Sequence, residues 1–432
     1  MKNLESNVEP DCSGMHSIRA SGFVNYSSFV VRHSSFLHIL ALALPLAALH
    51  AEDWPRWRGP NHDGISKETG WLDKWPASGS KEMWKANVGT GFSSFAVAQG
   101  RVFTMGNASN TDTVWCFDAA TGKVLWKHSY ESDLGDKYFD GGPGATPTVD
   151  GDRAFATSRW GDVFCFDAAT GKVHWSKNVQ KETGVRVPDW GFAGSPLVHE
   201  NLLILNIGSA GMALDKSTGK LVWKSADADA GYSSPVPHKN GNDTLALVSS
   251  GDAYLAVNAR TGREVWTIPW LTEYGVNSGD PIVSGGRVFI SSGYGKGAGV
   301  FTLGTGELAS VWTSKVMRNQ MNPCVLVDGH VFGVDGNAGG RVPLKCVEFA
   351  TGREKWAHGA TGAGALVVAD GKLIVLSERG ELSIAPASPA GFKPTASSQV
   401  LGGKSWTAPV LANGRIYCRN SRGDVVCIDV KK

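Results

Sequence analysis

The stretch Asp118-Ala119-Ala120-Thr121-Gly122-Lys123-Val124-Leu125-Trp126 decides the fold, because five near-copies of it follow downstream. Read physically, it is a tight hairpin. The Asp118 carboxylate can accept hydrogen bonds from the turn amides, Gly122 supplies a positive-φ corner, and the short strand that follows ends in a large ring. The copies run from Asp167 to Trp175, Asp215 to Trp223, Asn258 to Trp266, Thr302 to Trp312 and Glu348 to Trp356. Their turn glycines, Gly122, Gly171, Gly219, Gly262, Gly306 and Gly352, are 49, 48, 43, 44 and 46 residues apart. A period of that size belongs to a radial or stacked array of small β units. The fifth copy carries two extra residues between Gly306 and Trp312, and a bulge is expected there.

Around each hairpin the layout repeats. A first strand opens on a small or polar residue, usually followed by Pro: Ser94-Phe95, Thr146-Pro147, Ser195-Pro196, Ser234-Pro235, Asp280-Pro281, Asn322-Pro323, Gly364-Ala365 and Ala408-Pro409. Pro at a strand's first residue forfeits no ladder bond. A Gly-containing turn leads to a second apolar strand, a third enters the Asp-x-x-Thr-Gly hairpin, and a fourth ends at Trp. Each unit is a four-stranded meander, the size of one propeller blade. The first-strand starts number eight. The seventh unit replaces the hairpin with Gly380-Glu381-Leu382-Ser383-Ile384 and a Pro-rich loop to Pro394, and the eighth ends after a third strand, Val425 to Val430. The missing strand is available at the other end, where Glu82 to Val88 has no unit of its own. Pairing it with the C-terminal three predicts an all-β, eight-bladed propeller of four-stranded antiparallel blades, occupying 82–432 and closed by its own termini, with no open sheet edge.

The bulk properties agree with one repeat array. The 432 residues include 54 Gly, charge is moderate at 19%, and the formal net charge is +2. Nothing in that balance suggests a nucleic-acid surface. Phe36 to Ala51 is an apolar run preceded by Arg32 and His33, too short to span a bilayer and laid out as a secretory signal cleaved near Ala51. Residues 1–51 are therefore expected to be a leader, and the mature chain an extracytoplasmic (periplasmic or secreted) monomer with no transmembrane segment. No Cys lies between Cys12 and Cys116 to carry a lipid. Residues 52–81 form a Trp-rich arm: Trp54, Trp57, Trp71 and Trp75 would be costly to leave in water, so the arm is expected to pack on the main body.

The pattern small-x-Asp-x-x-Thr-Gly-Lys-x-x-Trp, with Cys116, Cys165, Ala213, Ala256, Val300 and Cys346 at the small position, resembles the pyrroloquinoline-quinone-type propeller repeat. That family includes quinoprotein alcohol dehydrogenases and the outer-membrane barrel-assembly lipoprotein. The resemblance covers roughly residues 82 to 430. It implies that each Trp docks between a small residue and a Gly of neighbouring repeats; for an enzyme of the family it implies quinone and calcium at the channel mouth.

No Cys-x-x-Cys-His, His-x-x-x-His or Gly-x-Ser-x-Gly pattern is present. Gly293-Tyr294-Gly295-Lys296-Gly297-Ala298-Gly299 is a flexible turn in preference to a phosphate cradle, since no helix follows it. Cys116, Cys165, Cys346 and Cys427 recur in one repeat slot of separate blades and read as small core residues. Cys418 and Cys427 flank the Arg422-Gly423 turn symmetrically, and a cross-strand disulfide between them is expected. The loops entering the first strands supply the candidate site at the channel mouth: Trp190 beside Asp189, Asn277 and Asp280, and Arg318, Asn319, Gln320 and Asn322. Polar groups converging on a propeller axis are the default binding site. Asp280 and Asn322, one blade apart, could hold a cation through oxygen, or cap loop amides. There are no adjacent cysteines of the kind many quinoproteins carry, and no calcium ligands map onto this chain. The preferred reading is thus an exported, non-catalytic scaffold that binds an envelope or secreted protein partner or a small ligand, with no cofactor. A quinone-dependent alcohol or sugar dehydrogenase using PQQ and calcium is the first alternative. A carbohydrate-binding propeller using Trp54, Trp57 and Trp190 is the second.

Overall fold

The computed structural model describes residues 51–432 apart from 77 and 360; the expected signal sequence before residue 51 lies outside the described residues. Eight sheets are arranged as the repeat predicts. Blades 1 to 7 occupy 96–131, 148–178, 197–224, 236–269, 282–314, 325–358 and 365–399, and blade 8 combines 410–429 with Lys81–Asn87. Lys81–Asn87 pairs antiparallel with Asp424–Asp429, placing Trp84 opposite Cys427, so the two ends of the chain complete one sheet and close the ring. Innermost strands such as Ala96–Ala98 are buried along their length, whereas outer strands such as Val124–Glu131 alternate towards solvent, the period-2 signature of a half-buried strand.

The repeat's spacing has one structural consequence in each of blades 1 to 6. The small residue sits directly opposite the Trp of the neighbouring strand: Cys116 with Trp126, Cys165 with Trp175, Ala213 with Trp223, Ala256 with Trp266, Val300 with Trp312 and Cys346 with Trp356. With nothing bulky beneath it, the indole leans onto the next blade. Trp84, Trp126, Trp175 and Trp223 cover Gly122, Gly171, Gly219 and Gly262, where an added Cβ would come within 2.7 Å of the ring. Their Nε1–H groups donate to Ala119, Ala168, Lys216 and Ala259 carbonyls at 3.0–3.2 Å. Burying roughly 200 Å² of indole at about 25 cal/mol/Å² is worth on the order of 5 kcal/mol per blade before ordering costs. The ladder slips by one residue beside the Trp of each of these blades, not the fifth alone. The fifth copy therefore bulges as expected, and in addition Gly306–Glu307 leaves its own blade and pairs in parallel with Trp266 and Thr267 of blade 4. Blade 7 also has a fourth strand, Ala396–Gln399, reached through its Pro-rich loop.

At the axis a second set of contacts links the blades. The backbone N–H of Ser94 donates to Thr146 Oγ1 at 3.0 Å, that of Thr146 to Ser195 Oγ at 2.9 Å, that of Ser195 to Ser234 Oγ at 2.9 Å and that of Ser234 to Asp280 Oδ1 at 2.8 Å. The small polar residue that opens each of these strands thus satisfies an amide of the blade before it, which is why the slot is polar despite its burial. Across the closure, the buried Arg419 of blade 8 donates to the Ser93 and Met105 carbonyls at 2.8 and 2.7 Å, and Ser94 Oγ donates to Ala408 O at 2.9 Å.

The arm fills the axis on the side where the first strands end. Trp54 bridges Val97 of blade 1, Pro55 O accepts from Val149 N of blade 2, and Arg58 Nη2 donates to Cys324 O at 2.9 Å, next to blade 6. Ile65–Ser66 then adds a parallel strand to Val368 and Ala369 of blade 7, and Glu68 receives the Asn413 and Gly414 amides of blade 8. Trp54 and Trp71 are buried in the core.

The expected Cys418–Cys427 disulfide is corrected by strand register. Cys418 lies opposite Val426 and Cys427 opposite Tyr417, so the two side chains leave opposite faces of the hairpin, and both thiols are free and buried. A one-residue offset is enough to separate them, because successive side chains alternate faces.

Two outcomes are expected. Gly171→Ala places a methyl 2.6 Å from the Trp126 ring at a backbone φ of +74° and should lower the unfolding free energy by about 2–4 kcal/mol, read from urea denaturation. The Thr121 hydroxyl, with the Thr121 and Ala120 amides, holds Asp118 below the usual carboxylate range, and Asp167 and Asp215 are held down in the same way. Because the folded-state value is lowered, the turns favour the folded state above roughly pH 4 and lose that contribution as pH falls through the folded value. Changing all three to Asn, which blade 4 already uses at Asn258, should flatten the fall of the urea midpoint between about pH 5 and pH 2; an unaltered acid slope would refute the assignment.

Candidate functional site

Above the arm, the mouth of the axis opens into a cavity of about 420 Å³. Its wall is set by the repeat. Two residues before each polar slot the chain again faces the axis, and Phe92, Gly144, Ala193, Tyr232, Ser278, Gln320 and Trp406 all line the cavity from that one position. Longer loops between blades add Tyr138, Phe139, Trp190 and Phe192, and the blade 5 hairpin adds Tyr294. That hairpin is the Gly-rich stretch: Gly293 and Lys296 close a turn between Arg287–Ser292 and Gly297–Thr302. Its effect is to deliver a tyrosine. Trp57, at the tip of the arm, reaches the cavity from below and forms its floor.

The rings touch one another around the wall. Trp190 meets Tyr138 at 5.5 Å between centroids, Tyr232 at 5.9 Å and Tyr274 at 6.4 Å, and Tyr274 meets Tyr294 at 5.3 Å. The last three contacts are close to perpendicular, the edge-to-face geometry that aromatic quadrupoles favour. On the opposite side Phe92 stacks on Trp406 at 5.5 Å and touches Phe139 at 5.6 Å. Tyr138 and Tyr274 each leave 55% of their surface in solvent, which makes the rim an exposed aromatic patch of the kind that marks an interaction site.

Two charged side chains lie in the wall, and both are committed elsewhere. Asp280 Oδ2 accepts from Trp57 Nε1 at 2.6 Å and lies 3.8 Å from Arg58 Nε, while Oδ1 takes the Ser234 amide. Burial pushes its pKa up, opposed by Arg58 and these hydrogen bonds. Arg159 is buried beneath the rim. Its Nη1 donates to the Leu134 and Gly135 carbonyls and its Nη2 to Trp190 O at 2.8 Å, so it fastens two rim loops together. The guanidinium also lies 5.1 Å from the Phe139 ring centre, a cation–π contact.

Of the residues expected at the mouth, Trp190, Asp280, Gln320 and Asn322 line the cavity together. The others do not. Asn277 is buried in its loop, donating to the Ser250 and Trp270 carbonyls, and Asn319 donates to Val334 O. Arg318 makes a bidentate pair with Asp335 at 2.8 Å, and Lys345 reaches the same carboxylate. Although burial pushes Asp335 up, the two cations outweigh it and hold the acid below its ordinary range. Asn322 gives both amide hydrogens to protein, to Gly364 O at 3.2 Å and Trp406 O at 2.7 Å. Among the described residues no cluster of three or more His, Cys, Asp or Glu side chains is placed to hold a metal ion.

Comparison with known proteins places this architecture. The chain is 28% identical over 108 residues to tetrathionate hydrolase of Acidithiobacillus ferrooxidans, a match that spans 23% of this chain and 20% of that one. Among solved structures, BamB from Moraxella catarrhalis superposes with a TM-score of 0.60 at 16% identity, covering 81% of this chain and 99% of that one. The quinohemoprotein alcohol dehydrogenase of Pseudomonas putida HK5 gives a TM-score of 0.67 at 14% identity over 88% of this chain and 80% of that one. At such identities the two structural likenesses speak for the fold. The profile described as outer membrane protein assembly factor BamB matches residues 70–142 and 112–358, about two thirds of the sequence. By that match, and by the Trp-on-Gly repeat that accounts for it, the chain belongs to the BamB family of PQQ-type repeat propellers.

Proposed function

We propose that this protein is an exported, non-catalytic binding propeller of the cell envelope, and that it recognises its partner or ligand at the aromatic-rimmed mouth of the axis. The single observation that carries this reading is the cavity itself: a recess of about 420 Å³ on a rigid ring, with an exposed aromatic rim above and the arm beneath. Recognition residues displayed on loops of a rigid scaffold are how propellers ordinarily bind. Export is supported by the apolar run from Phe36 to Ala51, and among the described residues no helix is long and apolar enough to cross a membrane. The description outer membrane protein assembly factor points to the same compartment.

The quinone-dependent alternative meets a mismatch in the donor set. Calcium needs six to eight oxygens, and the wall's one carboxylate, Asp280, is already held by an indole N–H, an amide and Arg58. An anionic quinone with several carboxylates would find one cation in the wall, Arg159, whose Nη groups already point to three backbone carbonyls. Trp54, unlike Trp57 and Trp190, has no face to offer a sugar, because it is buried against Gly59.

Two measurements test the reading. Calorimetric titration of the purified chain with PQQ and calcium is expected to give no saturable heat, and alcohols or sugars no dye reduction; a stoichiometric quinone site would overturn the non-catalytic reading. Immobilised protein incubated with envelope extract, or with the extract's small molecules, is expected to retain a defined species. Replacing Tyr138 and Tyr274 with Ala should cut that retention at least about tenfold, since aromatic side chains dominate binding surfaces; retention unaffected by both changes would move the site off the mouth.

A further inference from the structure

Resting on the reading of the mouth as a binding site, we infer that its ligand is a neutral carbohydrate of two to three rings. The polar groups left over from the protein's own bonds define what the cavity can hold. Asp280 is paired with Arg58, and Arg159 keeps its charge but directs its Nη groups to three backbone carbonyls while its Nε is buried, so neither is turned towards an ionic ligand. The neutral groups are different. Ser195 Oγ and Ser234 Oγ each accept one backbone amide, which leaves each hydroxyl hydrogen to donate. Tyr294 Oη accepts from Gln320 Nε2 at 3.1 Å and Tyr232 Oη accepts from Trp190 N at 3.4 Å, so both phenols also keep their hydrogens. Asn322 spends both amide hydrogens and keeps Oδ1 as an acceptor. Burial pushes the Tyr232 pKa up, out of any ordinary range, and the hydroxyl stays a neutral donor.

The cavity thus combines spare neutral donors, one spare neutral acceptor and a wall of aromatic rings. A pyranose is the complementary object. Its equatorial hydroxyls give and take hydrogen bonds, while its axial C–H faces are apolar and lie against aromatic rings. A purely apolar ligand would leave the Ser195, Ser234 and Asn322 groups unpaired at about 1–3 kcal/mol each. A cationic one would be repelled by Arg159, and an anionic one would have to draw that guanidinium away from the carbonyls that hold it. The volume agrees: at about 420 Å³ the recess is within the range of ordinary small-molecule sites, and larger than a single sugar ring requires.

The test uses the mature chain and defined probes. Tryptophan fluorescence and calorimetry are recorded against maltotriose, cellotriose and chitotriose, with choline as the cationic probe and benzoate as the anionic one. At least one trisaccharide is expected to bind saturably, with the indole emission of Trp57 and Trp190 perturbed. Tyr138→Ala, at a residue more than half exposed, should weaken it about tenfold with an unchanged melting temperature, and Tyr232→Phe should weaken it less than Tyr232→Ala, since the ring is kept and one hydroxyl is lost. Choline or benzoate binding in place of sugars overturns the carbohydrate assignment. If no sugar binds while retention of an envelope species still depends on Tyr138 and Tyr274, this inference fails and the proposed function stands; if neither is seen, both fail.

Discussion

The indole laid over a glycine of the next blade is the contact on which the rest of this structure depends. It is the point at which a local pattern becomes a global one. A hairpin alone cannot bury a tryptophan, and a single four-stranded blade has nothing to cover its own apolar faces. Passing each ring sideways, from Trp84 onto Gly122 and from Trp126 onto Gly171, fixes both the spacing and the angle between neighbours. The glycine is required on two counts, because its φ is positive and because the space above it is already taken. The ladder slip beside the tryptophan turns the ring out of its own sheet and towards that glycine. Where the pattern lapses, the ring is held by other means. In blade 7, which has no Thr-Gly turn, the Trp356 indole donates instead to Ser388 O at 2.9 Å, and the closure between blades 8 and 1 gains the buried Arg419.

Inside the ring the constraint is electrostatic. First strands converge so closely on the axis that their leading amides lose contact with water, and an unpaired buried amide is costly. The polar slot answers this by passing one acceptor to each preceding blade, from Thr146 through Ser195 and Ser234 to Asp280. Asp280 therefore belongs to the scaffold before it belongs to any ligand. Its negative charge is balanced by Arg58 of the arm, so sealing the axis and neutralising the slot are achieved by one segment.

Most of the fold was legible in the sequence. Six hairpin copies at a regular period, with a spare strand at the N-terminal end and a unit one strand short at the other, are enough to predict eight blades and their closure, because both follow from hydrophobic period and turn chemistry. What escaped was set by offsets of one or two residues. Cys418 and Cys427 look symmetrical about Arg422-Gly423, yet the register moves one of them to the other face. The fifth hairpin bulges beside Trp312 as expected, but the reach of Gly306–Glu307 across to blade 4 has no counterpart in the other copies. At the mouth, attention to polar residues found Asp280, Asn322, Gln320 and Trp190 but also picked Asn277, Asn319 and Arg318, whose side chains serve their own loops. Beyond Trp57 and Trp190, polarity does not mark the aromatic wall. Its signal was present two positions before the slot, where Phe92, Tyr232 and Trp406 recur in phase with the repeat, since residues two apart on an extended chain face the same way. Tyr138 and Arg159 lie in or against inter-blade loops that have no counterpart in other repeats, and no periodic argument reaches them.

The arm crossing beneath Trp57 turns a tunnel into a dead end. Whatever enters must leave by the way it came, and a long polymer could not be threaded through the ring or slid along it. A chain-like ligand of the kind proposed would be held by its last few units, with the remainder trailing outward past the aromatic lip.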